Sequence, residues 1–110
     1  MLHEKLIILA FGNICSDRPD RLHRRFLALY DVPQIIIDLS GVEMLDPLFL
    51  RELAKLKTHR RRRGLLLGRL VVDSEYVCKA LRAVGFDRNC AIYRTLEDAV
   101  ASYKEARSYA

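Results

Sequence analysis

Apolar runs and amphipathic segments alternate along the chain. The apolar runs are of strand length, and consecutive residues within them are apolar rather than every second one. Continuous runs of this kind are typical of strands that are covered, fully or partly, on both faces. We therefore predict four strands, at residues 5–11, 34–39, 65–72 and 91–93.

Each predicted strand is followed by a segment whose apolar residues recur three or four positions apart, as in an amphipathic helix. The first predicted helix begins between residues 16 and 20, the second runs from Pro47 to Gly64, and the third covers residues 75–84. Thr95 can cap the fourth helix, with an acidic residue three positions later. The predicted inward stripes are Leu22, Phe26 and Leu29; Val77, Ala80, Leu81 and Val84; and Leu96, Ala99, Val100 and Tyr103.

The predicted order β-α-β-α-β-α-β-α indicates an α/β domain. The chain has 110 residues, 51% hydrophobic and 30% charged, which is enough for one core and too few for two. We therefore expect a single domain over residues 1–110. The longest uncharged run, residues 6–16, is far shorter than the roughly 20 residues that a membrane-spanning helix needs. No small-residue cleavage site follows the first apolar run, so we expect a soluble, cytoplasmic protein.

Cysteine and histidine are too scattered to spell out a metal site. Cys15, Cys78 and Cys90 are odd in number and widely spaced, which predicts buried free thiols rather than disulfides or a zinc site. The three histidines are not at ligand spacing from one another or from a cysteine. We expect no metal ion and no cofactor.

The start of the second predicted helix is the most informative junction. Asp46 can cap the helix by accepting a hydrogen bond from a backbone amide of the first turn. Pro47 is well placed as the first helical residue, because the N–H that it lacks would have no helical partner there. The junction follows a buried strand and a Ser40-Gly41 turn, so it lies near the C-terminal edge of the sheet, where α/β domains place their sites.

A helical wheel separates the residues of this second helix into two groups. Its inward arc contains Phe49, Leu50, Leu53, Ala54 and Leu56, while its outward side contains Leu48, Arg51, Glu52, Lys55 and His59. The wheel therefore predicts that Leu48 is exposed. Phe49 belongs to the first turn, where it is expected to be half-covered. Together the two side chains predict an apolar contact for a protein partner.

Three stretches of the chain, taken in order, resemble the STAS domains, named for sulfate transporters and anti-sigma factor antagonists. IIIDLSGVEMLDPLFLRELAKL (residues 35–56) is similar to the strand, turn and helix of the family. RRRRGLLLGRLVV (residues 60–72) is similar to its basic helix end and next strand, and LRAVGFDRNCAIYRTLEDAV (residues 81–100) to its closing helix, strand and helix. The resemblance implies a central sheet of about four strands flanked by four helices. It also implies a non-enzymatic role in bacterial signalling and transcription regulation.

The resemblance implies a docking surface at the helix start. In the antagonists that act as switches, the residue after the aspartate equivalent to Asp46 is a serine that a partner kinase phosphorylates; here it is Pro47, which has no hydroxyl. Binding is therefore expected to be constitutive or governed by the partner, which the resemblance implies is an anti-sigma factor of serine-kinase type or a transporter complex. The implied partner-binding residues are Ser40, Asp46, Pro47, Leu48, Phe49, Arg51 and Lys55, with Gly41 beside them.

The sequence also allows other functions. The net charge of +5, concentrated in HRRRRG (residues 59–64) and in the arginines of the first helix, allows binding to nucleic acid or to a membrane surface. A groove between sheet and helices could bind a small ligand, as some domains of this family are thought to do. A displaced phosphorylation site at another serine is also open: Ser16, Ser40 or Ser74. Catalysis lacks a nucleophile with a base and a phosphate loop.

Overall fold

The computed structural model describes residues 6–11, 18–65, 67–88 and 90–108, with side chains as far as residue 104. Strands and helices alternate through this part of the chain, as the sequence predicts. The strands are β1 (Leu6–Ala10), β2 (Gln34–Asp38), β3 (Gly68–Val71) and β4 (Cys90–Tyr93). The helices are α1 (Pro19–Leu27), α2 (Pro47–Arg62), α3 (Glu75–Ala83) and α4 (Leu96–Ser108), and a short 3-10 turn (Phe86–Arg88) follows α3. Part of the predicted start of the first helix, Cys15 and Ser16 lie outside the described residues.

The four strands form one parallel sheet in the order β1-β2-β3-β4. Their C-terminal ends therefore share one edge, which brings the segments that follow β2 and β3 side by side. Alternate residues of the central strands face opposite sides. Ile35, Ile37 and Leu70 belong to the larger core cluster with side chains of α1, α2 and α3, whereas Ile36 and Val71 pack with side chains of α4.

Three phenylalanines join β1, α1 and α2 below the C-terminal edge of the sheet. The ring centroids of Phe11 and Phe26 are 5.5 Å apart, those of Phe11 and Phe49 are 5.1 Å apart, and those of Phe26 and Phe49 are 5.4 Å apart. Aromatic rings at these spacings attract one another beyond their burial alone. The cluster fixes the first turn of α2 against the sheet.

A tyrosine of α4 completes the hydrogen bonding of β2. The Tyr103 hydroxyl donates to the carbonyl oxygen of Ile35 (2.7 Å) and accepts from its amide (3.2 Å). The pairing of β2 with β3 begins one residue later, at Ile36. Gly68, with φ of +107°, approaches Ile35 so closely that a Cβ there would lie 2.5 Å from its Cγ1. Tyr103 thus satisfies polar groups that β3 does not reach.

The structure corrects several side chains of the predicted faces. Phe49 has no exposed surface and Glu52 only 3%, Leu48 is partly buried, and Ala54 is exposed. The wheel is wrong for Glu52, because α1 packs on a side of α2 that it assigned to water. It is also wrong for Leu48 and Ala54, whereas Phe49 lies in the inward arc, as predicted, but is fully covered rather than half-covered. Val84 is also misplaced: it is 55% exposed, because α3 ends before it.

The arginine run is only partly a solvated surface. Arg60 is 1% exposed and its guanidinium donates to three backbone carbonyl oxygens between α1 and β2, those of Leu29 (3.0 Å), Val32 (2.5 Å) and Pro33 (3.2 Å). Its neighbours Arg61 and Arg62 are exposed. Arg60 of the arginine run therefore holds the segment between α1 and β2 against α2.

Candidate functional site

Asp46 caps α2 as the sequence predicts. Its Oδ1 accepts a hydrogen bond from the amide of Leu48 (2.7 Å), and Pro47 is the first residue of the helix. The cap fixes the direction in which the chain enters α2, because the carboxylate satisfies an amide that has no helical partner. Pro47 itself is exposed at this junction.

The turn between β2 and α2 is tied to the sheet by two further aspartates. Asp38 Oδ1 accepts from the amide of Ser40 (2.9 Å) and from its hydroxyl (2.6 Å). Asp73, just after β3, accepts from the amide of Gly41 (3.1 Å). Gly41 has φ of +83°, a conformation that side chains disfavour. The loop therefore has a defined shape at the shared C-terminal edge of the strands.

Met44 is an apolar side chain at this edge that is 62% exposed. It lies two residues before Asp46, whereas the sequence predicted that Leu48 and Phe49 would supply the apolar contact. Leu48 packs partly against the core, and Phe49 lies entirely beneath the surface. Phe49 therefore supports the helix start from below, because its ring is inside the three-phenylalanine cluster. No periodic pattern includes Met44, so its exposure had no signal in the sequence.

Two predicted cationic residues lie on the same helix, next to a buried carboxylate. Glu52 Oε2 is 3.4 Å from Lys55 Nζ and 4.0 Å from Arg51 Nε, and both cations are about half exposed. On its other oxygen Glu52 accepts a hydrogen bond from His23 Nδ1 of α1 (2.6 Å). Glu52 thus joins α1 to α2 and orients the predicted binding cations.

The contacts of Glu52 determine how the stability of the fold changes with pH. Burial alone would raise the pKa of Glu52, but its hydrogen bonds to His23 and Lys55 and the charges of those residues together lower that pKa below 4.5. A carboxylate whose pKa is lower in the folded chain stabilises the fold above its unfolded pKa, and this contribution disappears as pH falls through the folded pKa.

We expect Glu52→Gln to lower the free energy of unfolding by about 1–2 kcal/mol at pH 7, because it removes charge-assisted hydrogen bonds. The difference from the wild type should shrink as pH falls below about 4.5. Urea unfolding across a pH series measures it. Glu97→Gln, at an exposed α4 position with no ion pair among the described residues, is the control. A difference that stays constant down to pH 3 would contradict the role of the Glu52 charge.

The thiols of the described cysteines have low reactivity. Cys78 is buried, and Cys90 donates from Sγ to the carbonyl oxygen of Phe86 (2.9 Å). Burial raises the pKa of Cys90 to about 12, which suppresses its thiolate at neutral pH.

Within the described ranges, no three His, Cys, Asp or Glu side chains come together as a metal-binding group. No helix in that part of the chain is both long and apolar enough to cross a membrane.

Solved structures with the same fold exist. A crystal structure at 1.59 Å of a protein from Thermotoga maritima, provisionally assigned as an anti-sigma factor antagonist, matches with a TM-score of 0.68. It is 22% identical, over 87% of this chain and 86% of that one. An NMR structure of the same protein, TM1081, also matches with a TM-score of 0.68, at 21% identity over 92% of this chain and 83% of that one. No curated protein gives a significant sequence match.

The parallel sheet, its helices and the capped helix start at the sheet edge define a small α/β domain with the fold of these structures. The sequence model of the STAS domain matches residues 3–99, which is most of the chain. The chain belongs to the STAS domain family. The fold class and the family resemblance that the sequence indicated are thereby confirmed.

Proposed function

We propose that this STAS domain is a non-enzymatic regulatory module that binds a protein partner at the start of α2. The observation that carries the proposal is the exposure of Met44 beside the capped Asp46-Pro47 junction. An exposed, flexible thioether is the kind of side chain that protein interfaces bury. We define the docking surface as Ser40, Met44, Asp46, Pro47, Leu48, Arg51 and Lys55.

The shape of the docking surface is largely set before binding. Asp38 and Asp73 hold the Ser40-Gly41 turn, and Asp46 holds the first turn of α2. A surface that is already ordered loses less conformational entropy when a partner binds. Such a surface supports recognition by shape, with Met44 as the apolar anchor.

The proposed partner is an anti-sigma factor of serine-kinase type, as the family and its fold relatives suggest. Pro47 stands at the position where switching antagonists have serine, so a kinase finds no acceptor hydroxyl there. In family members that have this serine, phosphorylation would add about two negative charges at the start of the helix. Because this domain cannot receive that charge at residue 47, its binding is constitutive or controlled by the partner.

The test is capture of partners from a nuclease-treated lysate of the source organism at about 0.3 M salt, where exposed charges are well screened. The wild type is compared with Met44→Asp, and captured proteins are identified by mass spectrometry. Leu27→Asp is the matched control, since Leu27 is another exposed apolar residue, at the end of α1 toward the opposite edge of the sheet. All three forms are first shown to be folded by circular dichroism.

We expect an anti-sigma factor to be retained by the wild type and by Leu27→Asp and lost by Met44→Asp. Retention of the same proteins by all three forms would contradict the docking surface. Retention that depends on low salt or on untreated nucleic acid would favour the arginine-rich surface instead.

A further inference from the structure

A groove runs along α2 on the side that faces the end of α3. Its volume is about 380 Å³, within the range of small-molecule sites. It shares no residue with the docking surface. The lining residues are Leu50, Ala54, Lys57, Thr58, Arg61, Val84 and Phe86.

The groove exists because α3 ends early. The helix stops at Ala83, and Gly85, with φ of +82°, turns the chain into the Phe86 turn. Val84 is therefore left at the lip of the groove, 55% exposed, instead of covering α2. Ala54 has too small a side chain to fill the gap from below. The result is an apolar floor that is open to solvent.

The polarity of the groove changes along its length. Its apolar end is formed by Leu50 and Ala54, and its cationic end by Lys57 and Arg61. At 1.5 Å per residue, Leu50 and Arg61 are about 16 Å apart along the helix axis. A ligand that fills this space would need an apolar part at one end and a negative charge at the other.

The two cations are available to a ligand. Lys57 Nζ lies 5.2 Å from the centroid of the Phe86 ring, and neither Lys57 nor Arg61 forms an ion pair with a residue that the structure describes. Glu52, the one acidic residue of α2, is engaged by His23 and Lys55 on another side of the helix. No carboxylate of α2 therefore neutralises the cationic end.

We propose that this groove binds a small amphipathic monoanion, such as a free acyl carboxylate, with its chain on Leu50, Ala54 and Val84 and its head group at Lys57 and Arg61. A neutral apolar ligand would leave both cations without an anionic partner. A polyanion would leave the apolar floor uncovered. Because the groove changes from apolar to cationic along its length, it favours a ligand that has one charged head group and one apolar chain. An acidic helix, with charges along its whole length, would match only the cationic end.

The test is a titration of the nitrogen-15-labelled protein with monomeric decanoate, followed by amide chemical shifts. Decanol has the same chain without the charge, and acetate has the charge without the chain. We expect saturable shifts centred on Thr58 and Val84 with a dissociation constant below about 1 mM for decanoate. Binding of decanol should be weaker, and acetate should cause no saturable shift.

Arg61 and Arg62 provide a matched pair of variants, because they are adjacent exposed arginines of which only Arg61 lines the groove. Arg61→Gln should weaken decanoate binding about threefold to fivefold, as expected for one partly exposed charge pair, and leave decanol binding unchanged. Arg62→Gln should change decanoate binding less than twofold. Val84→Ser should weaken both ligands.

Equal losses in the two arginine variants would overturn the site, because they would show attraction to general positive charge. Shifts outside the groove, or no saturation with decanoate, would also overturn it. Sedimentation with phosphatidylglycerol vesicles, in the absence of binding to free decanoate, would likewise overturn the proposal, because it would show binding to a membrane surface and not to a free monoanion. The docking surface is tested independently by Met44→Asp, so either proposal can fail without the other.

Discussion

Replacing Arg60 by alanine is expected to lower the free energy of unfolding by about 3 kcal/mol. The guanidinium is buried and donates to the carbonyl oxygens of Leu29, Val32 and Pro33. Its loss removes several charge-assisted hydrogen bonds and leaves buried acceptors with fewer partners. The segment between α1 and β2 would lose the group that holds it against α2.

The matched control for this prediction is Arg62→Ala. Arg62 is two positions away in the same helix, carries the same charge and is exposed, so its removal should change stability by less than about 0.5 kcal/mol. Urea unfolding at neutral pH measures both variants. Equal stabilities of the two variants would show that the Arg60 hydrogen bonds do not contribute as the structure indicates.

Phe49→Ala is expected to lower the free energy of unfolding by about 4 kcal/mol. The ring is fully buried and contacts both Phe11 and Phe26 within the core. Its removal would leave a cavity and break two aromatic contacts at the point where β1, α1 and α2 meet. Thermal or urea unfolding measures the variant if it folds, and Phe49→Leu, with an expected loss of about 1–2 kcal/mol, gives a milder second measurement.

Met44→Ala is the comparison for Phe49, because Met44 is five residues away, beside the same helix start, but is largely exposed. We expect Met44→Ala to change stability by less than about 0.5 kcal/mol. If Phe49→Ala and Phe49→Leu were as stable as Met44→Ala, the phenylalanine cluster would not be the support of the helix start. The contrast also matters for function: loss of partner binding is informative in a Met44 variant, whereas in a Phe49 variant it could follow from unfolding.

Most of the fold could be predicted because its signals are local. Strands 34–39 and 91–93 were predicted within a residue of β2 and β4, and the Asp46-Pro47 start of α2 was predicted at the correct residue. Apolar runs, caps and glycine stops each act over a few residues. The bounds of β3 were less accurate, since an apolar run does not show that pairing begins only at Gly68.

The candidate site was predicted less well because burial depends on partners that are distant in sequence. Glu52 looked like a residue of a solvated face, but its partner His23 is 29 residues away on α1. Arg60 looked like one of four equivalent arginines, and its carbonyl partners are 27 to 31 residues away. A helical wheel treats a helix as covered on one side, whereas α2 contacts both the core of the sheet and α1.

The Tyr103 hydroxyl, which closes the hydrogen bonding of Ile35, makes the folding of the sheet depend on a residue 68 positions further along the chain. Contacts over such long separations raise the contact order and slow folding. When α4 separates from the sheet, the Ile35 amide loses its acceptor, one residue before the pairing of β2 with β3 begins. Hydrogen exchange at this single amide would therefore report the opening of α4, distinct from the global unfolding that exposes its neighbours in β2.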